Sequence, residues 1–145
     1  MATHISHSAS ETEALGEQWG REANAGLVIG LSGDLGTGKT QLTKGIARGL
    51  GVNERILSPT FALVNEYRSG RLPMFHLDLY RLDTRAQIVG AGLEQYLTRP
   101  KGVAIVEWIE RWLEGNDVVG ARYRRVQIKQ LSETDREIIY EDFGG

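Results

Sequence analysis

Residues Leu27 to Ser32 form a short apolar run that ends in a glycine-rich turn. Beyond the turn Leu42, Ile46 and Leu50 recur on one helical face until Gly51 stops them. A strand, a tight turn and a helix in immediate succession constrain this chain more than any other feature, because the helix must fold back over a sheet that contains the strand. The turn reads Gly33-Asp34-Leu35-Gly36-Thr37-Gly38-Lys39-Thr40, which has the spacing G-x-x-x-x-G-K-[ST].

That spacing has a physical meaning. Glycines let successive backbone N–H groups point inward at phosphate oxygens with no Cβ in the way, and the N-terminus of the following helix adds partial positive charge. Lys39 can reach the outer phosphates and the Thr40 hydroxyl can ligate magnesium. The chain has 18 glycines, so chance must be weighed; its own residue frequencies give roughly 0.006 accidental matches. The position between a predicted strand and a predicted helix is where the mechanism needs the motif.

The remaining segments predict an α/β fold. Ser10 and Glu13 have the form of a capping box, which places a first helix over Glu11 to Ala23. Phe61 to Tyr67 and Met74 to Tyr80 read as a β-hairpin, and Thr84 to Leu97 as a helix. Val103 to Val106 is an apolar run suited to a central parallel strand, followed by a short helix with Trp108, Trp112 and Leu113. Tyr123 to Leu131 and Arg136 to Phe143, joined at Ser132 to Asp135, predict a second hairpin. The expectation is a single domain over residues 1–145, with three αβα layers and a mixed sheet; a chain of 145 residues supports one core and is short for two.

Composition narrows the function classes. A net charge of -2 argues against strong binding to a nucleic-acid backbone. Arg122, Arg124 and Arg125 around Tyr123 are the one basic cluster, either a solvated strand face or a docking surface. The absence of cysteine removes disulfides and thiolate metal sites, nothing near Met1 resembles a signal peptide, and no apolar stretch approaches the length of a membrane span. A cytoplasmic setting is expected. There is no Asn-Lys-x-Asp element to read guanine, which points to adenine, and no Gly-x-Ser-x-Gly nucleophile turn.

A P-loop enzyme also needs a carboxylate at the end of a neighbouring strand, to hold the metal or to orient water. Two acids qualify. Glu107 ends the apolar run from Val103, where a charge is costly unless it faces a cation or water. Asp78 lies in Phe75-His-Leu-Asp-Leu-Tyr80, where alternation puts His76, Asp78 and Tyr80 on one face; it is either such an acid or the partner of an arginine such as Arg81. His76 is read as an interior hydrogen-bonding group, Trp108 as a core aromatic with Trp112 one turn on, and Pro59 as a residue that positions its turn.

Gly33 to Thr40, Ser58-Pro-Thr-Phe61, His76-Leu-Asp-Leu-Tyr-Arg-Leu82 and Val106-Glu-Trp108, in this order and spacing, together resemble the TsaE (YjeE) family from Glu11 to about Phe143. The resemblance implies the ATPase subunit of the bacterial machinery that places a threonylcarbamoyl group on the adenosine beside the anticodon of certain tRNAs, working with the TsaB–TsaD complex. It implies that Gly36 to Thr40 wrap the phosphates, that Thr40 and Glu107 hold magnesium, and that Asp78 is a second acid important for turnover. Ser58 to Phe61 would form a switch-like segment, Trp108 would lie near the nucleotide, the segment around Thr12 would approach adenine, and Arg136 would contact the nucleotide. With Gly33, Asp34, Leu35 and Gln41 these residues complete the expected ATP site. The chain carries Thr37 and Gln41 where members often have Ala and Thr, and Ile109 where Pro often follows the tryptophan.

The expected activity is slow Mg-dependent ATP hydrolysis, with Lys39, Asp78 and Glu107 as the catalytic side chains. It should be weak in the isolated chain, since no intrinsic arginine finger stands out. The rival readings are a small-metabolite kinase, which would need a lid and an acceptor pocket as well, and a non-catalytic module shaped by bound ATP. Contact with tRNA is expected to be indirect, and the sequence leaves the oligomeric state open.

Overall fold

A computed structural model describes residues 1–32, 38–59, 62–113 and 122–144. The apolar run 27–32 is indeed a strand, and a helix follows it: β2 (Leu27–Ser32) has Val28, Ile29 and Leu31 fully buried, and α2 (Lys39–Leu50) turns Leu42, Ile46 and Leu50 inward. Gly51, at φ 83°, ends α2 with its N–H on the Ala47 and Arg48 carbonyls, a left-handed cap that glycine adopts without strain.

The other elements are β1 (Ala2–Ser6), α1 (Ala9–Glu22), β3 (Val64–Tyr67), β4 (Met74–Asp78), α3 (Arg85–Gly90), α4 (Glu94–Thr98), β5 (Val103–Glu107), α5 (Glu110–Leu113), β6 (Arg122–Gln130) and β7 (Arg136–Phe143). They build a seven-stranded mixed sheet in the order β1-β7-β6-β2-β5-β4-β3. The pairs β2–β6, β2–β5 and β4–β5 are parallel; β3–β4, β6–β7 and β1–β7 are antiparallel. Both expected hairpins are present.

Two apolar layers flank the sheet. One joins Leu15, Trp19, Leu42 and Ile46 of α1 and α2 to Ile29, Leu31, Ile105, Val126 and Ile138. The other joins Ile88, Leu97 and Trp112 of α3 to α5 to Val28, Phe75, Leu77, Ala104 and Val106. β5 contributes to both, which is why it reads as an unbroken apolar run.

Four local expectations change. The first helix begins two residues earlier: Ser8 is its N-cap, with Oγ accepting the Glu11 N–H at 3.1 Å, while the Glu11 carboxylate accepts the His7 N–H at 2.6 Å. The capping residues are therefore Ser8 and Glu11 in place of Ser10 and Glu13. β1 was not expected, because five residues with a polar alternation carry little strand signal until β7 offers them an edge. The helix expected from Thr84 to Leu97 is two short ones, because Gly92 takes φ 80° between them. Trp108 does not open a helix; it sits at φ 60° between β5 and α5, a left-handed conformation rare for a bulky residue.

Candidate functional site

Every strand of the parallel core delivers its C-terminal end to the region where α2 begins. Gly38 precedes α2 at φ 111°, supplies no side chain to cap the helix, and no acidic residue occupies the first turn. The first turn therefore offers backbone N–H groups and the positive end of a 12-residue helix to an anion. Lys39 is almost completely buried there, which a cation tolerates only near compensating groups.

The second wall comes from α1. Gly16 and Gly20 face α2 while Gly45 and Gly49 face α1, and a Cβ at any of the four would strike the opposing backbone: Gly16 meets Leu42, Gly20 meets Ile46, Gly45 meets Glu13 and Gly49 meets Glu17. Residue numbers rise together along both helices, so α1 and α2 run parallel and their N-termini share one end. Ser8, Ala9 and Thr12 are thereby set against Gly38, Lys39, Thr40 and Gln41. Thr12 is fixed from behind. The Ser6 and Thr12 hydroxyls share a hydrogen bond at 2.7 Å, and the Ser8 carbonyl lies within reach of both, 2.8 Å from Ser6 Oγ and 3.3 Å from Thr12 Oγ1.

The third wall is the turn between β6 and β7. Arg136 Nη1 donates to the carbonyls of Ser132 and Asp135 at 3.0 Å each and to that of Glu133 at 3.4 Å, which stiffens the turn and presents Glu133 and Thr134. His7 Nδ1 lies 3.4 Å from Asp135 Oδ1, across from the start of α1. The walls enclose an open pocket of about 520 Å³ lined by Ser8, Ala9, Thr12, Gly38, Lys39, Thr40, Gln41, Glu107, Glu133, Thr134 and Arg136. That size suits a mononucleotide.

The floor is formed by the ends of β4 and β5. Asp78 and Glu107 are register partners, so their side chains share a face beside α2. Asp78 is buried and its Oδ1 accepts the Tyr80 N–H at 2.9 Å. Glu107 lines the pocket and receives His76 Nε2 at 2.8 Å. Next in the chain, Trp108 covers Lys39: Nζ lies 5.1 Å from the centre of its ring, with Tyr80 at 5.0 Å and the Arg111 guanidinium at 5.6 Å. Ile109, where proline is often found, is buried against the bare backbone of Gly30, and a Cβ on that glycine would lie 2.7 Å from Ile109 Cγ1. Desolvation raises the carboxyl of Glu110, against the pull of Lys39, Arg111 and Arg125.

Of the expected site residues, Thr12, Gly38, Lys39, Thr40, Gln41, Glu107 and Arg136 thus meet in one pocket, with Asp78 beside Glu107 and Trp108 over Lys39. Gly33, Asp34, Leu35, Gly36 and Thr37 lie outside the described residues, as do Thr60 and Phe61 of the expected switch-like segment. Ser8, Ala9, Glu133 and Thr134 were missed. The Ser8-x-x-Glu11 spacing could have exposed the first of these; a polar turn such as 132–135 carries no signal of what it faces. Among the described residues no group of three or more His, Cys, Asp or Glu side chains could by itself hold a metal, so a cation here would need phosphate or water ligands as well. No described helix is long and apolar enough to cross a membrane.

A parallel core whose central strand is followed by a helix, with antiparallel strands at both edges and an uncapped helix terminus over two strand-end acids, defines an α/β protein of the P-loop NTPase fold. The crystal structure of YdiB from Bacillus subtilis superposes with a TM-score of 0.79 at 34% identity, covering 99% of this chain and 86% of that one. The family described as threonylcarbamoyl adenosine biosynthesis protein TsaE matches residues 6–138, and the chain belongs to that family. The tRNA threonylcarbamoyladenosine biosynthesis protein TsaE of Bacillus subtilis is 37% identical over 137 residues, 92% of this chain and 81% of its own length. Its counterpart of the same description in Synechocystis sp. is 48% identical over 103 residues, 69% of this chain, and the match spans just under two thirds of that protein, 65%.

Proposed function

We propose that this chain binds and hydrolyses Mg-ATP as the ATPase subunit of tRNA threonylcarbamoylation, acting in the cytoplasm with a TsaB–TsaD complex. One observation carries this reading: Lys39, Thr40 and Glu107 line the same pocket at the uncapped N-terminus of α2. The residues present suit the ligand. Amide donors and Lys39 match phosphate oxygens, while a hydroxyl and a carboxylate are the hard oxygen donors magnesium prefers. Thr40 and Glu107 would hold the ion, and bound magnesium would supply neutralisation of charge on the phosphate oxygens.

The chain's own residues do the rest. Lys39 stabilises the charge that develops on the transferred phosphoryl group, and it does so from a nearly dry position where its field is strong. Glu107 is committed to the metal, so Asp78, its register neighbour, is the acid that orients the attacking water. Thr12, Glu133 and Thr134 enclose the nucleoside end of the pocket, and Arg136 keeps their turn in shape. A partner supplies the missing positive charge, so hydrolysis by the chain alone is slow.

The test is phosphate release from Mg-ATP by the purified chain, alone and with TsaB–TsaD, beside Lys39→Ala. Stimulation by the complex that disappears in the variant is the expected result. A phosphorylated acceptor with no free phosphate would establish a kinase, and tight ATP binding with no phosphate release under either condition would establish a binding module.

A further inference from the structure

Among the described residues, the one buried ionisable side chain beneath the pocket that the proposed chemistry leaves without a task is His76. It lies in the middle of β4, 3% exposed, opposite Ile105 on β5, and reaches diagonally towards the strand end to place Nε2 2.8 Å from Glu107 Oε2. Its other nitrogen, Nδ1, is buried with no hydrogen-bond partner among the described residues. These two facts fix the tautomer. With the ring proton on Nε2, the histidine donates to the carboxylate and leaves only a lone pair facing the apolar interior. With the proton on Nδ1, an N–H donor would be stranded there and two acceptors would face each other at 2.8 Å.

We infer that His76 is a positioning residue whose Nε2–H holds one oxygen of Glu107 and so aims the carboxylate into the pocket beside Lys39 and Thr40. Glu107 needs such support. It is the last residue of β5, the next residue turns through φ 60°, and its side chain is 17% exposed, so packing alone restrains it on one side only. A ring only 3% exposed, on the face of β4 that also buries Met74, is a rigid anchor for it. The inference rests on the reading of Glu107 as a metal-holding acid.

The experiment compares His76→Gln, whose amide nitrogen can reach the position of Nε2, with His76→Asn, whose amide is too short, and His76→Leu, which has no donor. The affinity of the full chain for a fluorescent ATP analogue is measured in Mg²⁺ and again in EDTA, and thermal unfolding is followed for each variant. The expected result is that the gain in affinity brought by Mg²⁺ falls by about 10-fold or more in His76→Asn and His76→Leu and is retained in His76→Gln. A gain of wild-type size in folded His76→Asn would overturn the inference, as would an equal loss in His76→Gln. Glu107→Gln separates this inference from the reading beneath it. If Mg²⁺ brings the same gain there as in the wild type, Glu107 does not hold the metal. A loss in Glu107→Gln with no loss in His76→Asn overturns only the positioning role.

Discussion

Thr12 and Ser6 are almost wholly buried at the back of the pocket, and their shared hydrogen bond is the only polar link that the described residues show from α1 down to β1. Thr12→Val keeps the shape and removes the hydroxyl, so it should lower stability by about 1 kcal/mol in urea unfolding. Arg124 and Asp142 lie further out on the β6–β7 pair, joined at 2.6 and 3.0 Å, with the guanidinium stacked on Trp19 and Tyr140. The hydrogen bond from Arg124 is the main reason that the Asp142 carboxyl is held below its ordinary value of 3.8, with burial opposing it. A depressed acid stabilises the fold above its unfolded value and loses that contribution as pH falls through the folded one. The aspartate side chain is well exposed, so solvent screening limits the effect. Asp142→Asn should therefore be less stable than the wild type by about 0.5–1 kcal/mol at pH 7, a gap that narrows as pH falls below 3.8 when both are unfolded in urea.

At the level of elements, the contact of α1 with α2 decides whether the pocket has a second wall. Gly45→Ala adds one methyl group where the Glu13 carbonyl already lies, so the helices must separate; the expected loss is about 1–3 kcal/mol despite the better helix propensity of alanine. Gly90→Ala in α3 has open space around its Cβ and should instead stabilise the chain by about 0.5–1 kcal/mol. Thermal midpoints of the two variants moving in the same direction would refute the packing argument. Elements built by sequence-local chemistry were legible: β2 and α2 from their apolar periods, the hairpins from their turn residues, and the alternation that sets His76 and Asp78 on one face and Phe75 and Leu77 on the other. What escaped depends on distant partners. β1 is a strand only because β7 lies beside it, and Trp108, at φ 60°, packs against the Tyr80 ring and the cations of Lys39 and Arg111. The pairing of His76 with Glu107 joins residues 31 apart, and periodicity shows the face but not the partner.

For the molecule as a whole, the pocket draws on the chain near Ser8 and near Arg136, and β1 ties these regions together by pairing Ala2–Ser6 with Arg136–Tyr140. Removing residues 1–6 should leave β7 as an unprotected edge, speed amide exchange along Arg136 to Tyr140, and weaken ATP binding in the same preparation. Exchange unchanged from the full chain would mean that β7 does not need its neighbour. The order β1-β7-β6-β2 carries a further consequence for biosynthesis. β1 is synthesised before the other strands of this sheet but has no place in it until β7 has followed, so during translation this segment waits unpaired while the parallel centre can already assemble. The finished pocket thus comes into being only once β7 has been made, and a product cut short before β7 would retain the strand and helix of its signature while lacking the wall formed by the 132–136 turn.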